Sequence, residues 1–285
     1  MENQDRKKTR KPVWILLLSL VCVLAVFAGV WLVLHEKTQS RNIVSLVTRA
    51  EEQAAMEESL SAAIDTLSER INRQDKNREP AVWGTGYNWF AIGNSLTLIE
   101  GFGHGICSTQ PDNDYFGIVK AFLEKQYGDV TASRVHFGVW EQSAYRNAMF
   151  DFVDPYLSPD LDLVTVQLGE NVSVIERPVS GYRDDLKELV LYIRKKCPSA
   201  QIIMIDDFWD NRKSDIRREV AEETDIDFAD LSEIRGKKEY QSEAGIEFLL
   251  SNGKTETVSE EAATHPGDSG MAYIADRVIE KIAVK

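Results

Sequence analysis

From residue 87 onward, apolar segments alternate with amphipathic ones, and this alternation constrains the fold more than any other feature. The apolar segments have the length of strands, and the segments between them repeat apolar residues at helical spacing. Strands that are apolar throughout must be covered on both faces, so the pattern predicts a parallel sheet in a three-layer α/β/α domain. The predicted strands are 87–92, 133–139, 162–168 and 200–206, and the predicted helices are 114–127, 183–195 and 267–283.

Small polar residues follow two of these strands and precede the last helix. Gly93-Asn94-Ser95 follows the first strand, Gly169-Glu170-Asn171 follows the third, and His265-Pro266 precedes the final helix. Right-handed crossovers bring the carboxyl ends of parallel strands to one edge, where such sheets bind ligands. A serine, a base and an amide donor at that edge suit nucleophilic ester hydrolysis. Each residue also has a structural alternative, as an N-cap (Ser95), a loop residue (His265) or a turn cap (Asn171).

These segments resemble sequence blocks of the SGNH/GDSL hydrolases. Gly93-Asn94-Ser95-Leu96-Thr97 is similar to the first block, with Asn94 where the commoner pattern has Asp. Gly169-Glu170-Asn171 is similar to the third block, and Thr264-His265-Pro266 to the fifth. The resemblance covers roughly residues 85–285. It implies an SGNH-hydrolase, flavodoxin-like fold without a cofactor, with Ser95 as nucleophile, His265 as base, and Asn171 and the Ser95 N–H as oxyanion donors.

The chain departs from the family pattern at two places. The acid that the family carries three residues before the histidine is replaced by Ala262, and Glu261 lies nearby but out of register. A Ser–His dyad, another carboxylate, or impaired activity are the alternatives. The second departure concerns the block that supplies a glycine N–H to the oxyanion hole, for which Gly138 is the local candidate.

Further carboxylates fall near the predicted edge. Glu170, Glu141 and Asp207 are candidates for orienting His265 or binding substrate, and the alternative for each is an ordinary surface carboxylate or ion-pair partner. Phe208 and Trp209 follow Asp207, where aromatic rings would suit either sugar stacking or the core. Trp140-Glu141, together with the Gly-Glu-Asn and Thr-His-Pro segments, resembles a membrane-anchored bacterial branch of the family.

The N-terminal residues predict an anchor. Residues 1–12 form a basic tail, and residues 13–34 contain no charged side chain, which is enough to cross a hydrocarbon core of about 30 Å as a helix. The positive-inside rule then leaves the N-terminus cytoplasmic and exports the rest. A cleaved signal peptide is the alternative, but the apolar run is longer than the usual secretory segment.

Residues 35–79 are expected to form a helical stalk between this anchor and a hydrolase domain at 80–285. Apolar residues recur there at close to a 3.5-residue repeat, interrupted at Glu57. A single amphipathic helix and a coiled coil that forms a homodimer are equally compatible with this pattern. Pro80 disfavours helix at the preceding residue and marks the boundary.

Charge and cysteine content limit the remaining possibilities. The chain carries a net charge of −13, and because the first twelve residues contribute +3, residues 13–285 carry −16. An acidic exported portion argues against nucleic-acid partners. The four histidines are scattered without metal-ligand spacing. Cys107 and Cys197 are the only cysteines after the anchor, and whether they form a disulfide is left open.

The sequence therefore predicts a membrane-anchored, extracytoplasmic serine esterase that removes acyl groups, most simply acetyl, from a glycan or another small ester. An O-acyltransferase is the enzymatic alternative, in which a sugar hydroxyl replaces water. A catalytically impaired glycan-binding module is the non-enzymatic one, and it rests on Ala262.

Overall fold

The computed structural model describes Trp31 and residues 81–99, 102–143, 145–172 and 179–283. The chain divides into two compact units, Met1–Asn77 and Arg78–Lys285. Apart from Trp31, the predicted basic tail, anchor and stalk lie outside the described residues. Within the described part of the chain, no helix combines the length and apolarity needed to cross a membrane.

A sheet of five parallel strands forms the centre of the described domain. Its order is β2-β1-β3-β4-β5, the flavodoxin-like order, and Gly93 at the end of β1 pairs with His136 on one side and Gln167 on the other. All residues of β1 and β3 are buried, as predicted for strands covered on both faces. The strands are β1 (Tyr87–Gly93), β2 (Val130–His136), β3 (Leu163–Gln167), β4 (Gln201–Ile205) and β5 (Asp227–Ala229).

Helices cover both faces of this sheet and complete the predicted three-layer α/β/α arrangement. The first and last helices pack together over the face that carries Trp89 and Ala91. The third and fourth helices pack against each other in the opposite layer. The helices are α1 (Tyr115–Tyr127), α2 (Gly138–Gln142), α3 (Val179–Lys196), α4 (Asn211–Thr224) and α5 (Asp268–Ile279).

The predicted strand at 133–139 differs most from the structure. β2 begins at Val130 and ends at His136, because the chain turns at Phe137 and Gly138 begins the short helix α2. Helix α4 is not predicted from the sequence either. Its buried face includes Lys213, Ser214 and Arg217, so apolar periodicity does not mark it.

A small antiparallel hairpin lies between β5 and His265. It consists of β6 (Glu247–Leu249) and β7 (Thr255–Thr257), and it is not predicted from the sequence. Its side chains build a second, smaller core in which Cys107 packs with Phe248, Leu250 and Val258. Cys107 and Cys197 are both buried free thiols.

Candidate active site

Ser95 lies on a tight turn directly after β1. The Asn94 carbonyl accepts bonds from the N–H groups of Thr97 and Leu98, each at 3.0 Å, and the Asn94 side-chain oxygen accepts from Leu96 N–H at 3.1 Å. Gly93 is required here, since an added Cβ would lie 1.8 Å from the Thr97 hydroxyl oxygen. The chain thus reverses within one residue of the strand end and leaves Ser95 half-buried at the carboxyl edge of the sheet.

Asn94 faces two carboxylates. Its side-chain N–H₂ donates to Glu141 Oε1 at 3.0 Å and to Glu170 Oε2 at 2.6 Å. An amide has two hydrogens to give, whereas an ionised aspartate has none. This explains the departure from the commoner Asp at position 94, because a carboxylate there would face two others.

Glu141 organises the oxyanion side of the site. Its carboxylate is 1% exposed and accepts bonds from Asn94 Nδ2, from Gly169 N–H and, at 2.6 Å, from Asn171 Nδ2. Asn171 is itself exposed. One hydrogen of its amide is held by Glu141, and the second is directed elsewhere by the planar geometry of the group. Glu141 therefore fixes the orientation of the predicted oxyanion donor.

Gly138, the predicted second donor, lies beside the nucleophile turn. Phe137 N–H donates to the Gly93 carbonyl at 2.6 Å, which joins the end of β2 to the end of β1. A Cβ on Gly138 would lie 2.8 Å from the ring of His136 and 3.7 Å from Asn94 Cβ. The glycine thus leaves room for the His136 ring, and Asn94 lies at ordinary contact distance from it.

Behind Asn94, a buried arginine pairs with two acidic side chains. Arg217 Nη2 lies 2.9 Å from Glu170 Oε2 and 3.3 Å from Asp207 Oδ2, and all three side chains are almost fully buried. Burial raises the pKa of Glu170 to about 7; Arg217 opposes this shift, and the charges of Asp207 and Glu141 add to it. Arg217 is not predicted from the sequence. The signal that could have identified it is a cation on the buried face of the polar helix α4.

Asp207 is fully engaged in this network. Besides Arg217, it accepts bonds from the N–H groups of Trp209 and Asp210, both at 2.7 Å. Through these bonds the Asp207 carboxylate caps the turn after β4. The structure shows no contact between Asp207 and His265 among the described residues, so the prediction that it orients the base gains no support from them.

His265 is oriented by a backbone carbonyl. Its Nδ1 lies 2.9 Å from the Ala262 oxygen, and Trp209 packs edge-on to the imidazole with ring centres 5.2 Å apart. Burial lowers the pKa of His265, opposed by the bond to Ala262 and by the charge of Glu261. Because the Ala262 oxygen can only accept, Nδ1 carries the proton and Nε2 is left as the basic nitrogen. Glu261 is exposed and acts on the ring through its charge.

Two consecutive residues connect the Ser95 turn to the His265 loop. Ile106 N–H donates to the Ser95 carbonyl at 2.8 Å, and the Cys107 thiol donates to the Ala262 carbonyl at 3.1 Å. The predicted nucleophile and base therefore lie on loops held together at one edge of the sheet. No group of three or more His, Cys, Asp or Glu side chains in the described residues is arranged to hold a metal ion.

We expect Asn94→Asp to destabilise the protein, although it restores the commoner residue of the family. The new carboxylate would face Glu141 and Glu170 without a hydrogen to donate, at a cost of about 1–3 kcal/mol. Urea unfolding measures the change. Above pH 7, where Glu170 is ionised, adding Glu170→Gln should recover part of the loss, since one facing charge is removed. An Asn94→Asp variant as stable as the parent would contradict the charge assignment.

Glu170 should make stability depend on pH. Its pKa is about 7 in the folded chain, against 4.5 for an ordinary glutamate, so the folded state keeps a proton that the unfolded state releases. The resulting stabilisation is complete below about pH 4.5 and declines as pH rises towards 7, by on the order of 1.4 kcal/mol per unit at most. Glu170→Gln should flatten this decline in urea unfolding, and Glu239→Gln, at an exposed position, should not.

Among known proteins the chain has distant structural likenesses and no sequence match. No protein-family model and no curated protein matches the sequence. Solved structures similar to the chain include an acetylxylan esterase from Geobacillus stearothermophilus, with 14% identity, a TM-score of 0.47, and coverage of 72% of this chain and 97% of that one. A protein described as a GDSL-like lipase from Parabacteroides merdae has 15% identity and a TM-score of 0.45, covering 72% and 99%.

A salicylyl-acyltransferase from a tetracycline biosynthetic pathway is also similar, with 12% identity, a TM-score of 0.42, and coverage of 71% of this chain and 58% of that one. Likenesses at these levels carry no information on the chemistry of this chain. With its parallel sheet in the order β2-β1-β3-β4-β5, the described domain has a flavodoxin-like α/β/α fold, and the serine turn directly follows β1.

Proposed function

We propose that this chain is a serine ester hydrolase in which Ser95 is the nucleophile and His265 the general base. The observation that carries the proposal is the shared edge of the sheet. The turn bearing Ser95 and the loop bearing His265 are joined there through Ile106 and Cys107, and Glu141 ties Asn171 to Asn94, the residue before Ser95. Acyl transfer through serine requires a nucleophile, a general base and an oxyanion donor, and Ser95, His265 and Asn171 are the proposed residues for these roles.

In the proposed reaction, His265 Nε2 takes the Ser95 hydroxyl proton as the oxygen attacks the ester carbonyl. The positive imidazole that forms keeps its Nδ1 hydrogen bond to the Ala262 carbonyl. The oxyanion is stabilised by the Ser95 N–H, the Asn171 amide and the Gly138 N–H, and each such donor is worth about 3–4 kcal/mol. His265 then protonates the leaving alcohol, and water resolves the acyl-enzyme by the same steps in reverse.

The replacement of the family's acid by Ala262 does not by itself make the site inactive. Without an acceptor at Nδ1 the imidazole would be free to rotate and would present the wrong tautomer part of the time. A backbone carbonyl fixes both the orientation and the tautomer, although it lacks the negative charge that stabilises the imidazolium. A working Ser–His dyad is therefore favoured over the non-catalytic glycan-binding module, whose support was Ala262.

The compartment and substrate class are proposed from the sequence. The basic tail at 1–12 and the uncharged run at 13–34 support a single-pass anchor with the hydrolase domain outside the cell. An enzyme fixed to that surface would act on acylated glycan, and we propose acetyl as the group removed. Transfer of the acyl group to a sugar hydroxyl, as in an O-acyltransferase, uses the same residues and differs only in the acceptor.

Ser95→Ala and His265→Ala should each lower the hydrolysis of a short-chain aryl acetate by about 10³-fold or more. Either change removes a group that forms or breaks bonds, so kcat should fall more than KM changes. Ser269→Ala, an exposed serine just inside helix α5, is the matched control and should retain the parent rate. Equal rates in all four proteins would exclude Ser95-dependent hydrolysis of simple esters.

The pH profile of kcat/KM should have an acid limb with its midpoint below 6.5. His265 must be neutral to act as base, and burial lowers its pKa, so activity should be lost only as pH falls through that lowered value. The measurement is the rate of aryl acetate hydrolysis across the acid range with unfolding monitored in parallel. A midpoint above 6.5 would show that a carboxylate, rather than the Ala262 carbonyl, stabilises the charged ring during turnover.

A further inference from the structure

The Ala262 carbonyl is held by more than the imidazole it orients. It accepts from His265 backbone N–H and from His265 Nδ1, both at 2.9 Å, and from the Cys107 thiol at 3.1 Å. The bonds from His265 belong to the same short turn and move with it. The thiol comes from a different part of the chain, so its hydrogen bond fixes the Ala262 carbonyl to a segment outside the His265 loop.

Cys107 is well suited to donate. Its side chain is 2% exposed, and burial raises the pKa of its thiol to about 11 against the opposing effect of a hydrogen bond with Ser242, so the S–H hydrogen is present throughout the neutral range. Phe248, Leu250 and Val258 of the hairpin region pack around it. The sulfur is therefore fixed by the second core and directed at the carbonyl.

The backbone at this position provides independent support. Cys107 has φ of 63°, in the left-handed region that favours glycine and costs other residues free energy. Glycine would relieve that strain but would place no group against Ala262. Position 107 thus carries a side chain although its backbone conformation favours glycine.

Resting on the function proposed above, we infer that Cys107 is a positioning residue for His265. Its thiol holds the Ala262 carbonyl at the place where the family carries an acid, and it does so from the residue next to Ile106, which bonds to the Ser95 carbonyl. Nucleophile and base are thereby held in register by one dipeptide. The charged group acting on the ring from its own loop is Glu261, and Trp209 borders it from the end of β4.

The test compares Cys107→Ala, which loses the donor, with Cys107→Ser, which keeps one, in the full-length chain. We expect Cys107→Ala to lower kcat about five- to tenfold with little change in KM, as for loss of one hydrogen bond. Its acid limb should move to lower pH, because a less fixed carbonyl stabilises the imidazolium less. Cys107→Ser should stay within about threefold of the parent. Cys197→Ala, at a second buried free thiol of the described residues, is the matched control and should leave the pH profile unchanged.

A titration of His265 by NMR separates this inference from the proposed function, because it needs no turnover. The His265 resonance is assigned by its loss in His265→Gln. A lower His265 pKa in Cys107→Ala supports the positioning role even if no ester is hydrolysed. Identical titrations in the parent and Cys107→Ala, or equal kcat losses in Cys107→Ala and Cys107→Ser, would overturn it. If Cys107→Ala does not fold, Cys107→Gly, which the positive φ favours, replaces it as the donor-free variant.

Discussion

The buried carboxylate of Glu141 is the interaction on which the arrangement of the site depends. Glu141 lies on α2, just after the edge strand β2, and its carboxylate accepts donors from the residues that follow β1 and β3, the next two strands in the sheet. An ionised carboxylate without partners in the interior would cost several kcal/mol. Its donors can satisfy it only if the three strand ends keep their positions. The cost of burying the charge thus enforces the register of Asn94, Gly169 and Asn171.

Asn94 and Arg217 follow from the same constraint. Glu141, Glu170 and Asp207 crowd one region, and Arg217 is the cation that pairs with two of them. With all four ionised the group would carry −2, and the raised pKa of Glu170 shows how the protein relieves this charge, by holding a proton. An amide at position 94 gives hydrogen bonds to two of these carboxylates without adding charge. The asparagine at position 94 and the two buried glutamates, Glu141 and Glu170, are therefore explained together.

The sequence predicted those parts of the molecule that depend on local pattern. Apolar strands gave the sheet and its edge, and the residues after β1 and β3 identified Ser95 and Asn171 as candidates. The pattern did not reveal α4, because Lys213, Ser214 and Arg217 interrupt its buried face. The hydrogen-bond acceptor for His265 could not be predicted from the sequence either, because every residue has a backbone carbonyl. Only the turn at Ala262–Thr264 brings the Ala262 carbonyl to the imidazole. Cys107 acts across 155 positions of the chain, a distance that no local pattern spans.

Charges of opposite sign would develop at the two ends of the site, a positive one at His265 and a negative one at the oxyanion. In the proposed mechanism, the positive charge on His265 would be met by a neutral carbonyl and by the exposed Glu261. Burial lowers the pKa of His265, which favours the neutral imidazole at rest and leaves its basic nitrogen available. At the other end, the negative charge of an oxyanion would develop near Glu141, which opposes it. The gain there comes from orientation, because Glu141 fixes an amide whose remaining hydrogen can be directed at the oxyanion. The proton on Glu170 limits the opposing charge, and it is retained only while the pH stays below about 7. Under the proposed mechanism, such a site would work best where His265 has lost its proton and Glu170 has kept its own.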